Sequence, residues 1–198
     1  MKILITFLLL LAYSVGSGQK HLPPKKNILQ EVPQSTFVLV SKQDMKLYVF
    51  DYEGKRIGYY PIACGKNTGN KTEIGDQRTP EGVFKVSQIL DASEWRYGTP
   101  DGRLVKGVYG PWFIRLETPG YYGIGIHGTN APGSISKRVS NGCVRMFNSD
   151  LKKLVEVIRK GTVVVIIPSA EDVQAGAKLK MPAPQNKKPE ALPPPVVY

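Results

Sequence analysis

Short apolar runs rich in β-branched and aromatic residues, each closed by a turn signal, limit what this chain can fold into. Thr36–Ser41 and Lys46–Asp51 read as strands on either side of a Gln43–Met45 turn. Glu53–Lys55 then turns the chain back into a third run, Arg56–Cys64. Gly82–Ser87, Trp112–Leu116 and Gly123–His127 supply further short strands. A helical period occurs once, where Leu151, Leu154, Val155 and Ile158 recur at i, i+3, i+4 and i+7. Ser149 is its expected N-cap and Asp150 complements the helix dipole, while Arg159 and Lys160 fill the last turn and Gly161 ends it. Thr162–Ile167 follows as a buried strand stopped by Pro168. The pattern predicts a mainly β domain with one short helix packed on it.

The 198 residues leave room for one well-buried domain and extra chain at both ends. Residues 1–18 read as a secretory leader: Lys2, the apolar stretch Ile3–Ala12, then small residues across Ser14–Gly18. That stretch is too short to span a bilayer comfortably, so the mature protein is expected to carry no membrane span, with a retained N-terminal anchor as the alternative. Residues 19–34 are polar, Lys- and Pro-bearing and aperiodic, and read as a linker. From Ser169 onward the chain is rich in Ala, Lys, Gln and Pro, so residues 169–198 are expected to form a disordered tail with polyproline II character. The domain is therefore placed over residues 35–168.

The formal charge of +11 suits a secreted protein drawn to anionic envelope polymers. Neither an aromatic–basic RNA motif nor a recognition-helix pattern is present, so nucleic acid is not an expected partner. Cys64 and Cys143 are the only cysteines. An even count in a secreted chain raises the prospect of a disulfide, and a Cys64–Cys143 bridge in a non-catalytic envelope-binding domain is one reading. The other makes Cys143 a free nucleophile and Cys64 a small buried apolar residue.

The chemistry concentrates in two glycine-lined segments, Gly123–Thr129 with His127 and Ser140–Met146 with Cys143. A nearby imidazole raises the ionised fraction of a thiol and can return the proton to a leaving amine. His127 is thus the candidate general base and acid for Cys143. Gly142 allows a carbonyl to approach the backbone, and the Gly142 and Cys143 N–H groups are candidate oxyanion donors. Ser140 either orients the imidazole or stabilises a turn. Arg145 either binds a substrate carboxylate or pairs structurally beneath the site. Gly128, Thr129 and Asn141 complete the expected substrate-facing set, with Gly128 and Thr129 shaping the turn. Trp95, Tyr97, Trp112, Tyr121 and Tyr122 lie near these segments in sequence, and Ala92–Tyr109 looks like an extended loop able to cap a cleft. His21, Cys64, His127 and Cys143 lack zinc-ligand spacing, so no metal is expected.

Taken together, these residues resemble the L,D-transpeptidase catalytic domain, the YkuD-like family. Its signature is His-Gly after a strand, a loop, then Ser/Thr-x-Gly-Cys, an apolar residue and commonly Arg. His127-Gly128-Thr129 and Ser140-Asn141-Gly142-Cys143-Val144-Arg145 match it. Leu47–Phe50 with Glu53–Lys55 looks like the family's opening hairpin. Cys64-Gly65 and Thr79–Phe84 look like its glycine and Thr-Pro-x-Gly elements, and Gly161–Val163 also fits. The resemblance implies a β-sandwich with a short helix after the catalytic cysteine. It implies a secreted, cofactor-free enzyme of the bacterial envelope, periplasmic where an outer membrane exists, acting on peptidoglycan stem tetrapeptides. Cys143 would attack the carbonyl of the third residue's L-centre and expel the terminal D-alanine. The acyl group would pass to a neighbouring stem in a 3→3 cross-link, to an envelope-protein amine, or to water in an L,D-carboxypeptidase reaction. One departure is Asn141, where many members carry His.

Overall fold

The computed structural model describes residues 36–99 and 101–177; the leader and linker expected over residues 1–34, and residues 178–198 of the expected tail, lie outside them. The described strands are β1 (Phe37–Ser41), β2 (Lys46–Phe50), β3 (Arg56–Gly65), β4 (Gly82–Asp91), β5 (Arg96–Gly98) and β6 (Leu104–Lys106). They continue with β7 (Trp112–Leu116), β8 (Gly125–His127), β9 (Arg138–Ser140), β10 (Val144–Met146) and β11 (Val163–Ile167). Helix α1 spans Asn148–Val157 and α2 spans Ala170–Ala177.

Nine strands join in the order β10-β8-β7-β4-β11-β1-β2-β3-β9, and β10 also pairs with β3, so the sheet closes on itself. Two ten-residue strands make that closure. β3 pairs with β2 through Arg56–Pro61 and then with β10 through Ile62 and Ala63. β4 serves β11 through Gly82–Lys85 and β7 through Val86–Asp91. Because these strands change partner midway, the two layers of the β-sandwich share them. Alternation supplies one half of the core: Val38 and Val40, Leu47 and Val49, and Val164 and Ile166 point inward. Ile114, Ile126, Val144 and Met146 supply the other half, with Leu151, Leu154 and Ile158 of the α1 segment packed among them.

The long strands, the Leu151/Leu154 face and the buried run before Pro168 follow the sequence pattern. Three details differ. Helix α1 starts at Asn148, because the Phe147 carbonyl accepts the N–H groups of Asp150 and Leu151; Ser149 lies inside the first turn. It also ends at Val157, since Gly161 N–H is taken by Val86 O and Thr162 N–H by Arg159 O in a separate turn. Lastly, the start of the expected disordered tail is ordered: Ser169 caps α2, with its Oγ accepting from Asp172 N–H at 3.2 Å and Asp172 Oδ2 accepting from Ser169 N–H at 2.8 Å.

Candidate active site

Parallel pairing of β8 with β10 sets Val144 against Ile126 and Arg145 against His127. Cys143, one residue before β10, is thereby brought beside Gly125. Its thiol donates to Gly123 O at 3.3 Å. Cys143 keeps partial exposure at the floor of a cleft of about 550 Å³ that His127, Ser140, Asn141 and Arg145 also line. Burial pushes the Cys143 thiol above its ordinary pKa, opposed by Gly125 N–H and by the charges of Arg145, Lys71 and Arg115.

His127 is 3% exposed. Its ring stacks on Phe113 at 5.6 Å and 11°, and meets Tyr109 edge-on at 5.1 Å. Nδ1 lies 2.6 Å from Gly128 O. A carbonyl can only accept, so Nδ1 carries the proton and Nε2 is left as the basic nitrogen. Desolvation, with the Arg145 charge, pulls the imidazole from 6.5 to about 4 against the Gly128 hydrogen bond. At neutral pH the pair rests as thiol and neutral imidazole.

Ser140 serves the turn and not the imidazole. Its Oγ donates to Cys143 O at 2.5 Å and accepts Gly142 N–H at 3.1 Å, pinning the loop that presents the thiol. Gly142 holds φ +131°, and a Cβ there would sit 2.9 Å from Arg78 O. Thr129 N–H donates to Asn148 Oδ1 at 2.8 Å, and Thr129 Oγ1 accepts from Ala131 N–H. Gly128 packs against Gly110 and Asn148, with its N–H on Tyr109 O. Gly128 and Thr129 therefore support the cleft from behind and do not line it. Asn141 is exposed and accepts from Gln77 Nε2 at 3.2 Å. The Arg145 Nε is buried without a hydrogen-bond partner, and among the described residues no carboxylate pairs with its guanidinium.

Several lining residues carry no motif. Lys71 and Gln77 come from the loop 66–81, and Lys71 is paired with Asp76 at 2.6 Å and sits 5.3 Å from the Tyr121 ring centroid. Tyr97, Tyr121 and Tyr122 do line the cleft, while Trp95 packs on Tyr109 and Phe113 behind His127 and Trp112 packs against the core. The Ala92–Tyr109 loop contains the β5–β6 hairpin. Both cysteines are free; Cys64 is buried with its sulfur 3.8 Å from Met45 Sδ. Among the described residues no group of three or more His, Cys, Asp or Glu is placed to hold a metal ion, and no helix is long and apolar enough to cross a membrane.

This order of elements, from the opening hairpin through His127-Gly128 to Gly142-Cys143, is matched over residues 35–166 by the L,D-transpeptidase catalytic domain family, YkuD. The chain belongs to the L,D-transpeptidase family. YqjB of Bacillus subtilis, named as an L,D-transpeptidase, is 34% identical over 137 residues, covering 68% of this chain and 73% of its own. YkuD of Bacillus licheniformis, similarly named, is 32% identical over 154 residues, 78% of each chain. Among solved structures, the helical cell shape determining protein Pgp2 of Campylobacter jejuni matches with a TM-score of 0.53 at 25% identity over 71% of this chain. The present chain spans 50% of that one, about half its length. The sandwich is thus an L,D-transpeptidase fold and the chain an L,D-transpeptidase enzyme. Helix α2 lies beyond the matched segment.

Proposed function

We propose that this L,D-transpeptidase acts on peptidoglycan stem tetrapeptides through a thioacyl-enzyme on Cys143. The observation that carries the reading is that Cys143 and a neutral His127, its Nδ1 held by Gly128 O, line the same cleft. His127 Nε2 takes the thiol proton as Sγ attacks the carbonyl of the third residue's L-centre. The Gly142 N–H is engaged by Ser140, which assigns the oxyanion to the Cys143 N–H with Gly142 and Ser140 holding its direction. Collapse breaks the peptide bond; His127 gives its proton to the departing amine of D-alanine and leaves a thioester. An acceptor amine then attacks, His127 removes its proton, and the thiolate recovers that proton as it leaves.

Arg145 is the residue for a substrate carboxylate, because it is a cation in the cleft wall without an acidic partner among the described residues. A stem peptide offers such carboxylates. The leader expected over residues 1–18 routes the enzyme to the envelope, where the acceptor is a second stem or an envelope-protein amine. No cofactor enters this scheme.

The test incubates protein from Gln19 onward with disaccharide-tetrapeptide and reads products by mass spectrometry beside Cys143→Ala. A cross-linked dimer lacking one D-alanine, absent with the variant, is the expected result. A tripeptide monomer alone would replace transpeptidation with L,D-carboxypeptidase activity, and unchanged substrate would overturn the reading.

A further inference from the structure

One cluster of buried charges lies apart from the residues that line the cleft. Lys42, whose side chain is wholly buried, lies 2.6 Å from Glu81 Oε1 and 3.2 Å from Asp172 Oδ1. Arg138 reaches Asp172 Oδ2 at 2.7 Å and Ser169 Oγ at 2.9 Å. Two cations thus face two carboxylates, the balance such burial requires. Burial alone would raise the Asp172 carboxyl, but hydrogen bonds from Ser169, Arg138 and Gly69 hold it well below the usual carboxylate range.

Lys42 and Asp172 both tie this network to the loop 66–81. Gly69 N–H donates to Asp172 Oδ1 at 2.7 Å, while Lys42 Nζ donates to Gly69 O at 3.2 Å and Thr79 O at 3.4 Å. Glu81 N–H is held by Asn70 Oδ1, and Ala175 of α2 meets Gly69 at van der Waals distance of a would-be Cβ, 3.4 Å. The far side of the same loop is active-site wall: Lys71, Ile74, Gly75 and Gln77 line the cleft. Gln77 Nε2 bonds Asn141, Arg78 O backs Gly142, and Lys66 N–H bonds Ser140 O. One loop therefore touches α2 on one side and the cysteine turn on the other.

We propose that α2, which lies outside the segment matched by the family, is a clasp that fixes the cleft wall formed by residues 66–81, with Asp172 as its positioning residue. Asp172 grips the loop directly through Gly69 and indirectly through Lys42, so the wall is set by a helix appended after the last strand. The identity of the substrate rests on the reading above; the clasp itself does not.

The test compares the protein from Gln19 onward with Asp172→Asn and with Ser169→Ala, which keeps the Lys42 and Gly69 contacts and so spares the fold. Hydrogen exchange by mass spectrometry is read at 15 °C, together with the rate of Cys143 alkylation by iodoacetamide and the KM and kcat for muropeptide. In Asp172→Asn, exchange is expected to rise in the 66–81 peptides while β1 and β11 stay protected, and KM to rise on the order of tenfold with kcat less affected. Ser169→Ala is expected to shift both in the same direction by less. Exchange rising equally in β1, β11 and 66–81 would overturn the clasp, as would unchanged exchange in 66–81. A fall in kcat at constant KM would also overturn it. Should wild-type protein leave muropeptides unchanged, the function reading fails while exchange and alkylation still decide the clasp.

Discussion

Changing the pH from 7.5 to 5.0 tests how His127 is held. Its imidazole is 3% exposed, stacked on Phe113, and lowered from 6.5 to about 4. An unfolded chain binds a proton on this histidine below pH 6.5, and the folded chain only below about 4. The stabilisation is therefore complete above pH 6.5 and is lost as pH falls towards 4. The full gap is worth about 3 kcal/mol, and roughly 2 kcal/mol of it is lost by pH 5. Other titrating groups also contribute, so the measurement is a difference. Urea unfolding at both pH values is compared between wild type and His127→Gln, a neutral side chain whose amide can still donate to Gly128 O. Wild type is expected to lose about 2 kcal/mol more than the variant between pH 7.5 and 5.0, at unchanged m-values. Equal losses would mean the imidazole is protonated in the fold near its ordinary pKa, and the neutral-base reasoning would be wrong.

Three further outcomes follow from the same geometry. Alkylation of Cys143 by iodoacetamide is expected to keep rising with pH beyond the ordinary thiol range, since burial raises its pKa; a plateau near neutrality would reveal a preformed thiolate instead. Gly142→Ala, forced into φ +131° against Arg78 O, is expected to cost about 1–3 kcal/mol and to slow acyl transfer at least tenfold, read as kcat on the muropeptide; wild-type kcat would contradict the need for a bare backbone there. Arg145→Gln is expected to raise KM for an anionic stem peptide about tenfold and to leave the KM of a carboxyl-amidated analogue nearly unchanged, and an equal effect on both would remove the carboxylate role.

How far a sequence declares such a site depends on what kind of signal each part carries. The strands that build the core alternate over enough residues to show their period, and His127 and Cys143 stand out because a thiol and an imidazole in glycine-rich frames are rare. Strands β9 and β10 have three residues each and no period to read, so their role as the parallel neighbours that deliver the cysteine turn appears only in three dimensions. The loop 66–81 is organised by Asp76, which accepts the N–H groups of Thr72, Glu73 and Arg78; such local hydrogen bonding leaves no pattern of hydrophobicity. Helix α2 did leave a mark. Ser169-Ala170-Glu171-Asp172 is a capping-box spacing, outweighed in a reading by composition by the Lys- and Pro-rich residues after it.

The arrangement of charges bears on how the proton leaves the thiol. Arg145 lowers the pKa of both His127 and Cys143, so its effect on moving a proton from one to the other largely cancels. Burial acts oppositely on the two groups, raising the thiol and lowering the imidazole, and here the contributions add. The gap between them is thus set chiefly by desolvation, and a free thiolate–imidazolium pair is disfavoured in the resting cleft. On the proposed chemistry, proton transfer must then accompany formation of the carbon–sulfur bond, because only the substrate's developing oxyanion and the donor aimed at it offset the cost of separating charge. A thiol kept protonated until a carbonyl is in place also meets oxidants in its less reactive form.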